Sequence, residues 1–333
     1  MNLVDLVAAI MFLGVVLYAI FAGADFGSGV WDLVAGSAER GGRLRRLIDH
    51  AIGPVWEANH VWLIFVLVFL WTGFPDAFAQ LMRTLAIPFW LAGLGIVLRG
   101  AGFAFRKFSP SVAWARVAGG LFAASSLITP FFLGAIAGGV ASGRVPADGT
   151  GDLWTSWLNP TSVLGGVLAV LTCTFLAGVF LAADAAGLGA LDLAEALRRR
   201  SLFVGALTGV VALAGIAPLA ADAETLFDRL ASRGLPLVAV SAVGGIVTLV
   251  LLNADRLREA RASAVVAVGS IVVGWGVAQY PWILVDEMRI DAVATESATL
   301  WGLVVAFGIA SVLVVPPLVF LLYLADRNRV GVE

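Results

Sequence analysis

Long apolar stretches recur along this 333-residue chain, and no other feature limits its fold so sharply. A hydrocarbon layer about 30 Å thick needs about 20 apolar residues per helix, and lipid offers no partners to open backbone groups. By that ruler nine transmembrane helices are predicted, over 3–24, 51–72, 79–104, 113–140, 161–184, 201–221, 235–253, 263–284 and 298–325. The segment at 3–24 lacks a basic leader, carries Asn2 and Asp5 instead, and is read as a first span rather than a signal peptide. The fold class is therefore all-α, a polytopic membrane protein. Composition agrees: 60% of residues are hydrophobic and only 13% charged, too much apolar surface for a soluble core to hide.

Charge placement sets the orientation. Sixteen of the 21 basic residues fall in the 1–2, 3–4, 5–6 and 7–8 connections and the tail, which leaves Arg83, Arg144, Arg229, Arg233 and Arg289 for the other side. The positive-inside rule then puts the N-terminus outside and the C-terminus in the cytoplasm. Trp31, Trp71, Trp154, Trp157, Trp282 and Trp301 fall near predicted interfaces, as an aromatic belt would. "FAGAD" at 21–25 and "FLAAD" at 180–184 close the first and fifth spans at matched topological positions. That echo suggests two four-helix units, 1–140 and 161–284, plus a ninth helix at 298–325 within one membrane domain. No basic run exceeds three residues, which speaks against nucleic-acid binding.

Against this apolar background the polar residues need reasons, because a charge near a helix centre costs about 2.5–3.5 kcal/mol on insertion scales. Tyr18, Asp25 and Asp32 repeat every seven residues on the first helix; Glu57 and His60, with Asn59 between them, lie in the first turns of the second. The topology brings both sets to one side as a shared polar crevice. A partly desolvated Glu57 suits a proton relay, although headgroups or water could equally satisfy Asp25 and its neighbours. Arg99, deep in the third span, either snorkels toward the cytoplasm or pairs with Glu57 or Asp25. Gly23 and Gly27 allow close helix approach, and Ser125, Ser126, Thr129 and Pro130 mark a packed, kinked stretch. Loop 141–160, with Trp154 and Trp157, covers a lipid or quinone headgroup or simply anchors the interface. No metal site is expected, since His50, His60 and the single Cys173 form no ligand cluster. A rival reading is a secondary ion-coupled transporter using Asp25, Glu57 and Asp184.

Several motifs resemble subunit II of the cytochrome bd-type quinol oxidases. "YAIFAGADFGSGVWDL" is similar to the first-helix signature, "IGPVWEANHVWL" to the second, and "LRGAGFAFR" to the end of the third; "YPWIL", "IDAVATESATL" and "VVPPLVFLLY" resemble the final two helices. The resemblance implies nine helices as two four-helix bundles plus one, in a bacterial plasma (inner) membrane. It implies a haem-bearing partner, subunit I, that holds haem b and haem d-type groups, oxidises quinol and reduces dioxygen to water with cytoplasmic protons. Small single-span subunits, membrane lipid and a structural quinone belong to the same expectation. This chain would be haem-free or haem-poor, scaffolding subunit I and lining a proton path. Glu57 then takes the place of the family's helix-two aspartate, and Asp25 its second acidic helix-one position. Ala22 and Ala58 replace a family acid and a family glycine.

Overall fold

The computed structural model describes residues 2–37, 40–52, 56–107 and 112–328. The chain runs α1 (Leu3–Leu33), α2 (Gly42–Ile52), α3 (Trp56–Gly73), α4 (Pro75–Thr84), α5 (Ala86–Lys107), α6 (Val112–Ala141) and α7 (Pro160–Gly187). It continues through α8 (Leu191–Ala214), α9 (Ile216–Asp222), α10 (Glu224–Ser232), α11 (Leu235–Asn253) and α12 (Leu257–Gln279). A two-stranded antiparallel ribbon, β1 (Trp282–Leu284) and β2 (Met288–Arg289), leads through α13 (Ile290–Val293) to α14 (Ser297–Asn328). Among the described residues, eight helices are long and apolar enough to cross a membrane, or nine if α3 and α4 form one broken span.

Local chemistry sets the ends of these helices. Asn2 and Asp5 close a reciprocal capping box on α1, satisfying backbone N–H groups that the first turn leaves open. Asn159 caps α7 by accepting from the Ser162 N–H, with Pro160 pre-set at the first helical position. In the loop before it, the Asp152 carboxylate accepts from the N–H groups of Thr155 and Trp154, which hold it below the usual carboxylate range.

Helix breaks depart from the expected spans. The chain turns by 118° between α3 and α4, where Phe74 precedes Pro75, so the predicted third span begins inside a separate amphipathic helix. Residues 42–52 also form their own helix, with Leu44, Leu47, Ile48 and Ile52 buried and Arg43 and Arg46 exposed; only its last two residues entered the predicted second span. The sixth predicted span starts ten residues late relative to α8, and the eighth overruns α12 into β1. Hydropathy averaged over a window does not register a bend.

Packing centres on α1, which touches α3, α6, α7 and α12, while α7 touches α6, α8 and α12 and α14 lies on α1 and α3. A Cβ added to Gly27 would sit 1.8 Å from the Cys173 carbonyl oxygen, so glycine is what lets α1 lie against α7. Apolar residues gather at both ends. One cluster joins Trp31, Ile48, Phe122, Leu176 and Leu257 around α2; the other joins Val7, Phe74, Leu85, Trp157 and Leu284 at the far end. Trp31 and Trp157 are thus core residues rather than belt residues, and the Trp31 indole donates to the Thr174 carbonyl at 2.9 Å.

Candidate functional site

Aspartate–arginine pairs gather at the α2 end of the helices. Innermost, Asp25 of α1 receives Arg99 of α5: Nη2 donates to Asp25 Oδ1 at 2.6 Å and to its carbonyl at 2.7 Å. Both side chains are 2% exposed. Burial of this kind is costly unless every charge and donor is met, and the surroundings meet most of them. Arg99 Nη1 donates to Ser126 Oγ, and the guanidinium lies between the rings of Phe26 and Phe122, 5.0 and 4.4 Å from their centroids. Gly29 leaves the space for this, since a Cβ there would stand 2.0 Å from Ser126 Oγ. The stretch read as packing in the sequence therefore supplies a ligand for the arginine.

One atom is left over. Asp25 Oδ2 is buried without a hydrogen-bond partner among the described residues. Two turns on, Asp32 accepts from Arg45 Nε at 2.6 Å and from Arg106 Nη1, which ties α1 to α2 and α5.

Beside Asp25 lies a cavity of about 210 Å³, large enough for several waters. Its wall takes Phe21, Asp25 and Ser28 from α1, Ile52 from α2, and Ala58, Asn59 and Trp62 from α3, with Leu181 and Asp184 from α7 and Arg261 from α12. Asn59 Nδ2 donates to the Phe21 carbonyl at 3.4 Å, a long bond that seats it on the wall. Tyr18 and His60 meet with the hydroxyl 3.4 Å from Nδ1, and the His60 ring lies tilted against Phe26, with ring centroids 5.7 Å apart. Among the described residues, no three His, Cys, Asp or Glu side chains converge as a metal site would require.

Of the residues singled out in the sequence, the structure brings Asp25, Asn59 and Arg99 together, with Tyr18 and His60 adjoining. Glu57 opens α3 two residues before Asn59, and its side chain lies outside the described residues. Asp184 and Arg261 share the cavity; the transporter reading groups Asp184 with Asp25, but nothing in the sequence points to Arg261.

A family model described as cytochrome bd terminal oxidase subunit II matches residues 3–325. The chain belongs to that family. It is similar to the cytochrome bd ubiquinol oxidase subunit 2 of Bacillus subtilis strain 168, 28% identical over 241 residues that cover 72% of this chain and 68% of that one. It is also similar to the cytochrome bd-I ubiquinol oxidase subunit 2 of Escherichia coli K12, 24% identical over 326 residues, with 87% and 83% covered. In three dimensions it matches a chain of the bd oxidase from Geobacillus thermodenitrificans with a TM-score of 0.82 at 26% identity, over 97% and 98% of the two chains. As a subunit II it is part of a quinol:oxygen oxidoreductase, a multi-pass bacterial membrane protein that works with a subunit I. Membership decides against the transporter reading.

Proposed function

We propose that this subunit II scaffolds the haem-bearing subunit I and carries cytoplasmic protons toward the oxygen-reduction site through the cavity at Asp25. The single observation behind this reading is a buried carboxylate with one oxygen locked to Arg99 and the other unpartnered among the described residues, on a cavity large enough for water. An oxygen in that condition costs about 1–3 kcal/mol unless it is hydrated, so cavity water is favoured there, and a water file beside an acid is what proton transfer needs. Glu57, at the start of α3, is the second acid of the route, with Asn59, His60 and Tyr18 as hydrogen-bonding neighbours.

The membrane frame follows from charge. The α2 end, with its arginines, faces the cytoplasm, the N-terminus lies outside and the C-terminus inside. The helices divide into α1, α3, α5 and α6 and then α7, α8, α11 and α12, with α14 as the ninth. Haem b and haem d-type groups sit in subunit I, and this chain is haem-free or haem-poor. Drawing protons from one side makes turnover electrogenic, at about 2.3 kcal/mol per charge per 100 mV.

The test is Glu57→Gln in the purified two-subunit complex. Quinol-driven oxygen consumption is expected to fall while haem content and subunit ratio stay unchanged. Turnover equal to the parent overturns the relay and leaves a scaffold.

A further inference from the structure

The motif echo contains a second acid that the route above does not use. Phe180 and Asp184 repeat the positions of Phe21 and Asp25, and all four line the same cavity. Asp184 Oδ1 accepts from Arg261 Nη1 at 3.1 Å, and the Arg261 guanidinium lies 4.4 Å from the Phe180 ring centroid. The acid is 8% exposed, its arginine 36%. Arg261 belongs to the first turns of α12, at the arginine-rich end, and lines the cavity while staying partly exposed. The arginine paired with Asp25 is, by contrast, sealed in.

We propose that Asp184 is the entry station of the proton intake, with Arg261 as its latch. The inference rests on the proton-intake reading of the cavity. A hydronium ion gives its proton to the Asp184 carboxylate and leaves as water; the neutral acid releases Arg261, which turns outward on its flexible stem. The proton then passes to cavity water and on toward Asp25, and the Asp184–Arg261 pair closes again. Asp184 acts through the acids beyond it and is a positioning residue. The charged groups facing it across the cavity, among the described residues, are Asp25 from α1 and Arg261 from α12, with Arg99 of α5 behind Asp25. Neighbouring wall residues from α2 and α3, Ile52 and Asn59, carry no charge.

The experiment follows proton uptake with a pH dye during single-turnover oxidation of the complete two-subunit complex. Asp184→Asn is expected to slow uptake about tenfold, equivalent to a barrier raised by about 1.4 kcal/mol, with haem spectra unchanged and most of the rate restored in Asp184→Glu. Arg261→Gln removes the latch but keeps the acid, and is expected to slow uptake by less than Asp184→Asn does, with haem spectra unchanged. Parent-like uptake in Asp184→Asn, with Glu57→Gln slowed, overturns the entry station and keeps the cavity route. Parent-like uptake in both overturns the cavity route as well. If Asp184→Asn does not assemble, Arg261→Gln decides, and uptake at the parent rate overturns the proposal.

Discussion

Asp25 and Asp184 occupy matching places in two similar pentapeptides, yet one arginine partner is enclosed and the other reaches solvent. The local sequence does not cause the difference. Arg99 enters from the body of α5 and is closed over by Phe26, Phe122 and Ser126, whereas Arg261 enters from the first turns of α12. Position 27 adds to the contrast: Gly27 lets α1 close onto the α7 backbone, while the corresponding residue of α7 is Ala186. Two acids in one short motif can thus differ in whether the paired cation is sealed in or reaches water, depending on which helix delivers it.

The largest expected effect is at the enclosed pair. Arg99→Met leaves Asp25 buried and uncompensated and should destabilise the subunit by about 3–5 kcal/mol, while adding Asp25→Leu should recover much of the loss. Thermal unfolding of the detergent-solubilised complex reads both. At the solvent-reaching pair, Arg261→Met should cost only about 0–1 kcal/mol in the same assay; equal losses at the two sites would break the comparison. Between these falls Gly27→Ala, which drives a methyl into the Cys173 carbonyl and should cost about 1–3 kcal/mol. If Gly27→Ala is neutral, the close approach of α1 to α7 is not what holds Asp25 in place.

Much of this was legible in the sequence, for reasons that particular residues make plain. Apolar length revealed the spans because lipid accepts little else, and Arg99 stood out because an arginine that deep needs a fixed partner. Its choice of Asp25 was not legible: Glu57 was an equal candidate until the approach of α5 to α1 was known. Ser126 looked like packing, since nothing local shows that a hydroxyl six residues after Gly120 faces a guanidinium from another helix. The break at Phe74 and Pro75 was hidden by continuous hydropathy on both sides. Arg261 was counted only as an inside charge, because its link to Asp184 spans 77 residues. Trp31 matched an interfacial residue in position, but the fold turned it into the core against Thr174.

The account depends most on Asp25 being a group that protons cross, rather than a structural anion. Time-resolved oxidation of the reduced complex, with haem absorbance and proton uptake recorded in the same Asp25→Asn sample, tests this most directly, since asparagine keeps the acceptor for Arg99 and removes the exchangeable acid. Haem content and absorbance like the parent's, with slowed proton uptake, are the predicted result. Uptake that keeps the parent rate in every phase would contradict it.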